Sequence, residues 1–349
     1  MSENKNLTPV WIIYADGRRL DAEHEGALRS ITVTDRLNGI SEFSAIFDTN
    51  DVKVLEKGLI SLESEISIHM GYKDDAEEVF SGEVLTIKGI FSESVGEQAE
   101  VSGSNVLHRL NHATHTRSFE EKTPSDILKG LIDGYSLKAE IDEFGAVGEF
   151  QSEESQTDYE YLMELAETYG KQVYACGTTI HVKDEITVRD DEIVYEWGKG
   201  LVRLEAAQDI RRLISGVDYA GWDHLKNESF AGKAELKDMG VKVGGAKSWA
   251  DKAKSGDGQY ADFRADLNCK DGDGAAQLAL GILQNNSYAF GNAKGRGEGN
   301  YRLRPGMRVT VKTAGEAFEG EYVAEAVTHR FSRSGGYTTE FLLKRNMSE

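Results

Sequence analysis

Cysteine is scarce in this sequence, which has only Cys176 and Cys269 among its 349 residues. The two lie far apart and form no CxxC pair, so neither a disulfide framework nor a thiolate metal site is expected, and a reducing compartment of synthesis fits best. Long hydrophobic runs are missing too. The longest near the start, Val10 to Ala15, is far shorter than the ~20 residues of a membrane helix, and polar residues 2–6 lack the basic opening of a signal peptide. The sequence therefore predicts an unprocessed chain without membrane insertion.

Positive charge is in deficit, because 40 lysines and arginines stand against 60 aspartates and glutamates and leave a net charge of −20. Such a protein repels the phosphate backbone wherever basic residues are not locally concentrated, so stable nucleic-acid binding is not expected. An acidic wall past which DNA slides with little adhesion remains compatible with this charge.

Three segments carry helix signals, and the rest of the chain mostly alternates apolar and polar residues with the period of a β-strand. Thr123–Gly134 has Pro124 at its first helical position and ends in glycine. Thr157–Gly170 opens with a capping box completed by Glu160. Asp273–Ser287 presents an apolar stripe that should pack on a sheet. Strand patterns occupy Ile66–Met70, Val79–Leu85, Val173–Cys176, Ile180–Val182 and Val309–Val311.

The two ends of the chain resemble each other. A Phe-x-Gly-Glu run stands at Phe80–Glu83 and again at Phe318–Glu321, and a Phe-Ser pair follows at Phe91 and at Phe331. The next matching strand lies 10 residues further on in both ends, at Val101 and Phe341. We interpret this echo as two like antiparallel barrels, in which the motif marks the turn into a strand and its glycine permits a close approach or a bulge. Coincidence is the competing interpretation.

Six further segments are informative together, namely Arg117–Leu128, Gln151–Leu162, Glu167–Gly170, Leu303–Val311, Phe318–His329 and Gly336–Phe341. In this order, and over most of the chain, they resemble the phage late-control protein D family. That family includes tail hub proteins of contractile phages and is similar to the base of the valine-glycine repeat spikes of type VI secretion.

This resemblance implies a homotrimeric hub whose two barrels per subunit form a pseudo-six-fold ring between a six-fold tail tube and a three-fold spike. The chain ends just after its last predicted strand, so we expect the spike to be a separate partner. Further expected partners are a tail tube or tube-initiator protein and baseplate proteins. The expected location is the virion tail or a contractile particle assembled in the bacterial cytoplasm.

The predicted fold is of the α+β class and mainly β, with two similar small antiparallel β-barrel tube domains. We place the first tube domain at residues 1–112 and an α+β middle domain at 113–196. The second tube domain takes 197–225 and 258–349. Residues 226–257, rich in glycine, lysine and alanine, are expected to form an inserted loop.

No catalytic residue, cofactor or metal ligand is predicted. His108, His112 and His115 have spacings that would suit zinc on a helix, but surface or trimer-interface histidines are the favoured interpretation. The run Asp271–Gly274 lacks the ligands of a calcium loop and is better explained as a helix-capping turn. Carboxylate neighbours such as Glu120–Glu121, Glu153–Glu154 and Asp190–Asp191 show no contrasting environments that would assign an acid and a base.

Three further features have structural and functional interpretations. The glycines at 291, 295, 297 and 299 follow a helix and are expected to form a flexible turn or lining rather than a phosphate loop. A basic group either docks an acidic neighbour or is a solvated strand face; its members are Lys294, Arg296, Arg302, Arg304 and Arg308, with Tyr301 among them. Trp222 is expected to pack in a core where the second barrel begins.

Two other functions compete with the hub. One is an enzyme acting on the cell wall, against which stands the missing catalytic constellation. The other is a glycan-binding tail-tip protein, which requires exposed aromatic residues on one sheet face. The sequence does not distinguish a phage tail from a tailocin or an extracellular injection system.

Overall fold

The computed structural model describes residues 8–48, 60–73, 75–94, 96–186, 192–223, 226–252, 261–265 and 271–348. Its helices are α1 (Ala22–Ala27), α2 (Pro124–Asp133), α3 (Asp158–Thr168), α4 (Trp249–Lys252) and α5 (Gly272–Ser287). Two 3₁₀ helices span Val106–Asn111 and Leu236–Asp238. No helix in the described ranges combines the length and the apolar character that crossing a bilayer requires.

Strands outnumber helices. Those of the first half are β1 (Pro9–Ala15), β2 (Arg18–Arg19), β3 (Leu28–Arg36), β4 (Glu42–Asp48), β5 (Glu65–Tyr72), β6 (Asp75–Ser92), β7 (Gly96–Ser104), β8 (Thr114–Lys122), β9 (Lys138–Ile141) and β10 (Gly148–Thr157). Those of the second half are β11 (Gln172–Cys176), β12 (Thr179–Lys183), β13 (Ile193–Trp197), β14 (Gly200–Gln208), β15 (Gly216–Asp223), β16 (Glu228–Glu235), β17 (Ala261–Ala265), β18 (Gly291–Glu298), β19 (Arg308–Lys312), β20 (Gly320–Ser332) and β21 (Gly336–Arg345).

Thirteen strands form one sheet in the order β19-β13-β14-β18-β21-β20-β3-β4-β7-β6-β5-β1-β2. The pairing of β19 with β20 closes the first six of them into a barrel. The other seven curl around a core of their own, which includes Ile31, Phe47 and Ile68. The fold is therefore mainly β with two barrel-like units, as the sequence predicts.

The two units share side chains as well as strands. Phe331 and Tyr337 come from the closed barrel but lie in the core of the first unit. The Phe331 ring stacks on Trp11 of β1, with ring centroids 3.9 Å apart. Because aromatic rings bury large apolar areas, this packing holds β1 against the end of β20.

The middle of the chain folds into two small sheets with helices α2 and α3. β8 pairs with β10, while β11, β12 and β9 form a three-stranded sheet. Both predicted helix starts are confirmed. Thr123 caps α2 through the N–H of Asp126, and Thr157 forms a complete capping box with Glu160 at the start of α3.

Helix α5 packs on a third sheet of strands β16, β15 and β17, as the sequence predicts. Asp271 caps α5 by accepting a hydrogen bond from the N–H of Gly274, so the capping interpretation of this run is confirmed. β16 lies inside the segment expected to be a loop, and its Ala234 is buried under α5. Residues 253–257 of that segment and Cys269 lie outside the described residues.

The glycines at 291, 295 and 297 lie in a strand, so the expectation of a flexible turn is wrong for them. They line the inner side of β18, where a Cβ on Gly295 would come within 2.2 Å of the Phe341 ring. A Cβ on Gly297 would come within 3.0 Å of Tyr195. The barrel interior needs that space for the two rings, so glycine serves packing here rather than flexibility.

A buried polar cluster joins both barrel-like units to the middle sheet. Arg304 donates to the Asp35 carboxylate (3.0 Å from Nε), to the Tyr174 hydroxyl (2.9 Å) and to the carbonyl of Glu78 (2.8 Å). Tyr174 donates to Asp35 over 3.1 Å, and the Ser41 hydroxyl donates to its other oxygen over 2.7 Å. Burial, then the neighbouring Asp35 charge, raises the pKa of Tyr174, so the phenol stays protonated. Both carboxylate oxygens of Asp35 therefore accept hydrogen bonds from partners in this cluster.

We expect Arg304→Ala to lower the free energy of unfolding by about 3–5 kcal/mol, because it leaves Asp35 as an uncompensated buried charge. Urea unfolding followed by tyrosine and tryptophan fluorescence measures the change. Arg296→Ala, on the exposed side of β18, is the matched control and should stay within about 0.5 kcal/mol of the wild type. Equal effects of the two substitutions would contradict a locking role for Arg304.

His329 of β20 is fully buried, with its Nδ1 2.9 Å from the Tyr337 hydroxyl. Burial and then the nearby Arg304 charge lower the pKa of His329 from 6.5 to about 3. The folded chain keeps this imidazole neutral while the unfolded chain protonates it below pH 6.5. Stability from this group is therefore present above pH 6.5 and is lost as the pH falls toward 3.

Between pH 6 and 4 we expect the wild type to lose about 1.4 kcal/mol per pH unit more than His329→Asn does. Unfolding free energies at four pH values give the two slopes. Thr328→Ser, a substitution on the same strand that removes no titratable group, should keep the wild-type slope. Parallel curves for the wild type and His329→Asn would refute the buried-histidine contribution.

Candidate assembly surface

Eight adjacent strands form one continuous face, in the order β14-β18-β21-β20-β3-β4-β7-β6. One side of this sheet carries the two apolar cores, and the other side is polar, as is common for antiparallel sheets. Direct pairing places one row of side chains across all eight strands on the polar side. The row is Arg203, Arg296, Glu340, Thr328, Thr34, Glu42, Ser104 and Glu83.

Charges on this polar face occur beside charges of opposite sign. Arg36 lies 3.0 Å from Glu42, Lys88 lies 3.6 Å from Glu100, and Arg330 lies 3.5 Å from Glu340. The remaining side chains of β3, β4 and β7 on this side are mostly serine and threonine. The face is therefore charge-balanced, although the whole chain is strongly acidic.

The predicted internal repeat is present in the strand register. Adding 240 to each residue number of the β6–β7 hairpin gives the β20–β21 hairpin pair for pair, from Glu83↔Ser104 to Ser92↔Gly96. The register shift between Val84 and Thr86 recurs between Ala324 and Ala326. Two hairpins that share every pair and a bulge are structural repeats of one unit, and the parts of the echo at Phe91 with Phe331 and at Val101 with Phe341 fall at equivalent positions.

Three neighbouring strands repeat as well. β4 maps onto β18 with an offset of 250, β3 onto β14 with 173, and β5 onto β19 with 243. The bulge that skips Arg29 in β3 recurs at Val202 in β14. Phe-x-Gly-Glu is the part of the sequence echo that does not align, because the register counterpart of Phe80–Glu83 is Gly320–Val323. The bulges also lie at Leu85 and Glu325, not at the motif's glycines.

Large and small core residues have changed places between the two copies. In the first unit Phe43 of β4 faces Gly103 of β7, whereas the equivalent pair of the second unit has Ala293 of β18 facing Leu343 of β21. A Cβ on Gly103 would meet the Phe43 ring at 2.9 Å. The bulky side chain of this pair thus comes from opposite strands in the two copies.

The three histidines do not share a helical face. His108 is in the first 3₁₀ helix, with Nε2 2.7 Å from Glu83, while His115 is on β8 near Asp158. Burial raises the pKa of Glu83, but the hydrogen bonds from Arg109 and His108 outweigh it and lower that pKa. Across the described ranges no three His, Cys, Asp or Glu side chains come together as a metal site.

The basic group does not form one docking patch. Arg304 is in the buried cluster, Arg308 binds Glu185 over 2.8 Å, and Arg302 lies near Asp75. Lys294 and Arg296 alone of the group share the solvated side of β18, so the strand-face interpretation applies to these two. Asp190 and Asp191 lie outside the described residues.

Trp222 is 43% exposed, so the expected core packing is wrong. It ends β15 in the α5-backed sheet, on the side away from the helix, together with the 67% exposed Phe263. Phe263 pairs with Asp218, four residues before Trp222, so the two rings are about 13 Å apart along the strand. That separation does not make a single stacking platform for a sugar.

Two edges of the polar face that the sequence did not predict are β6 beyond the bulge and β14, neither of which has a second strand partner there among the described strands. Phe91 on β6 is 78% exposed and Val202 on β14 is 68% exposed. Exposed apolar residues on an unpaired edge usually mark a contact. The Phe-Ser repeat at Phe91 and Phe331 is the sequence signal that could have indicated these edges.

Solved structures of phage tail proteins share this fold. The tail protein from Neisseria meningitidis MC58 matches with a TM-score of 0.67 at 13% identity, covering 97% of both chains. The 43 kDa tail protein of prophage MuSo2 from Shewanella oneidensis matches with 0.67 at 13% identity, covering 97% of this chain and 99% of that one.

An Escherichia coli component of the type VI secretion system, described as structurally similar to the T4 tail proteins gp27 and gp5, matches with a TM-score of 0.61. Its identity is 11%, over 91% of this chain and 73% of that one. At such identities the likeness shows a common fold.

No curated protein matches the sequence. A family model described as the Alg8 N-terminal domain matches residues 6–333. Because that match takes in nearly the whole sequence, the chain belongs to the Alg8 N-terminal domain family.

Proposed function

We propose that this protein is a structural hub of a contractile phage tail or a phage-like injection particle. In this role it forms a homotrimer whose pseudo-six-fold ring connects a central spike to the tail tube. The observation that carries the proposal is the register-matched duplication within a fold shared with phage tail proteins.

The duplication answers a problem of symmetry. A three-fold spike and a six-fold tube cannot meet through identical contacts unless an adaptor offers both symmetries. Three copies of a chain with two like units supply six like units, while the parts outside the repeat keep three-fold symmetry. The middle sheets with α2 and α3, and the sheet under α5, are such non-repeated parts.

The resemblance to the phage late-control protein D family supports the same role. Its segments include α2, the start of α3 and the β20–β21 hairpin. The proposal keeps residues 1–112 and 197–225 with 258–349 as the tube domains, 113–196 as the middle domain and 226–257 as an insertion. Within these bounds β13 belongs to the second barrel, and β15, β17 and α5 belong to the non-repeated sheet. The partners are further copies of the chain, a separate spike, a tube or tube-initiator protein and baseplate proteins, in an assembled tail.

The polar face suits the wall of a passage. Its paired charges and hydroxyl groups offer neither a basic track for phosphate nor an apolar surface for protein. A polypeptide or DNA duplex that passes such a wall encounters no excess of positive or negative charge. This fits a hub that does not retain nucleic acid. The proposed role is recognition and force transmission rather than catalysis.

We expect the purified chain to form a stable species of 115.5 kDa, three times the chain mass of 38.5 kDa. Sedimentation velocity over a hundredfold dilution series, alone and with a candidate spike protein, measures the assembly. The trimer should bind that spike in a ratio of three chains to one spike trimer. A chain that stays at 38.5 kDa at every concentration and with the spike present would refute the proposed function.

A further inference from the structure

One contact between the two copies of the repeat is made inside the chain. β20 from Ala326 to Ser332 pairs antiparallel with β3 from Ser30 to Arg36. Thr328 stands opposite Thr34, with their hydroxyl oxygens 3.4 Å apart.

Two backbone hydrogen bonds extend this junction beyond the paired residues. The N–H of Leu37 donates to the carbonyl of the bulge residue Glu325 over 2.8 Å, and the N–H of Arg333 donates to the carbonyl of Arg29 over 3.2 Å. The junction thus joins the second half of the long bulged strand β20 to strand β3 of the first unit.

The repeat places an equivalent pair of strand segments at the two ends of the polar face. Subtracting 240 takes the β20 segment to Thr86–Ser92 of β6, and adding 173 takes the β3 segment to Arg203–Asp209. Among the described strands, Thr86–Ser92 pairs with β7 alone and Arg203–Gln208 pairs with β18 alone. Each segment therefore presents one row of backbone groups without a strand partner in the described part of the chain.

Equivalent side chains are more exposed at the unpaired edge than at the internal junction, as expected if a strand partner is missing there. At the internal junction Phe331 is 7% exposed, whereas its counterpart Phe91 is 78% exposed. The bulge residue Leu85 and the edge residue Val202 are also exposed apolar side chains. The ring that is buried at the internal junction is therefore in solvent at the equivalent position of β6.

We propose that Thr86–Ser92 of β6 pairs antiparallel with Arg203–Asp209 of a second copy of this chain, in the register of the internal junction. Lys88 then stands opposite Ala207, and Phe91 stands opposite Leu204. The inference rests on the trimeric hub proposed above and names its subunit contact. Repeated three times, this contact closes the polar faces into one continuous cylinder.

Charge agrees with this register. Opposite Ala207, Lys88 has Glu205 and Asp209 as its diagonal neighbours on the facing strand, which are within reach of a lysine side chain. A shift of the register by one residue would turn Lys88 and Phe91 to the wrong sides of the sheet. The partner's edge therefore matches β6 in backbone, apolar residues and charge.

Engineered disulfides test the register in a chain carrying Cys176→Ser and Cys269→Ser. Directly opposed residues of antiparallel strands have Cα atoms about 4.5–5.5 Å apart, a distance that a disulfide spans. Lys88→Cys combined with Ala207→Cys should give covalent dimers and trimers after mild oxidation, seen on a non-reducing denaturing gel. Lys88→Cys combined with Glu205→Cys, two residues out of register, is the matched control and should stay uncrosslinked. Thr34→Cys with Thr328→Cys should close inside one chain and keep the monomer mass.

A trimer by sedimentation that gives no Lys88–Ala207 crosslink, or that crosslinks equally through Glu205, would overturn the register and leave the hub function standing. The absence of any trimer, with or without spike, would overturn both. A crosslink confined to the in-register pair supports the contact.

A second measurement concerns the exposed ring. Phe91→Ser should weaken trimer formation at least tenfold, because the ring becomes a buried anchor only in the assembly. Phe263→Ser, which removes a similarly exposed ring from the α5-backed sheet, should leave the assembly constant within twofold. Both variants should keep the circular dichroism spectrum of the wild type. Equal assembly of the two variants would contradict the proposed edge.

Discussion

The pairing of β20 with β3 is the constraint on which the rest of the structure depends. The first four residues of β20 close the barrel against β19, and the residues after its bulge belong to the sheet of the first unit. A single strand thus contributes to two cores. Phe331 at its end packs in the core of the first unit and not in the core of its own barrel. The bulge at Glu325 makes this possible, because an extra residue lets a strand bend and change partners. The buried Arg304 cluster then fixes the middle sheet to the same junction.

A ladder of backbone hydrogen bonds, rather than a linker, therefore connects the two units. Relative rotation of the units would break β20–β3 pairs and expose Phe331 and Tyr337, so the eight strands of the polar face behave as one body. This rigidity suits an adaptor that must hold its two copies at a fixed angle. The non-repeated sheets lie outside this face. Since they occur once per chain, they suit contacts with a three-fold partner rather than a six-fold one.

Local signals allowed much of the fold to be predicted. Capping residues at Thr123, Thr157 and Asp271 fixed the helix starts, since a cap acts within one turn of the chain. The hairpin repeat was also visible, through Phe91 and Phe331. Features set by distant partners were not. The glycines of β18 look like a loop until the rings of Phe341 and Tyr195 are placed over them, and Trp222 looks like a core residue until its sheet is found to have helix α5 on one side only. The edges of the assembly surface escaped prediction because strand order decides which strands are edges, and no local pattern encodes strand order.

The exchange of large and small residues between β4–β7 and β18–β21 has a consequence for how the two halves evolve and fold. A hybrid sheet of β4 with β21 would set Phe43 against Leu343 and Ala45 against Phe341, and would overfill the interior. The reciprocal hybrid of β18 with β7 would set Ala293 against Gly103 and leave a void. Each strand is thus sterically matched to its own neighbour and mismatched to the corresponding strand of the other half. Repeated units in one chain risk mispairing of their strands during folding, and this alternation of bulk disfavours such hybrid sheets. A gene that recombines between the two halves would likewise encode a poorly packed core.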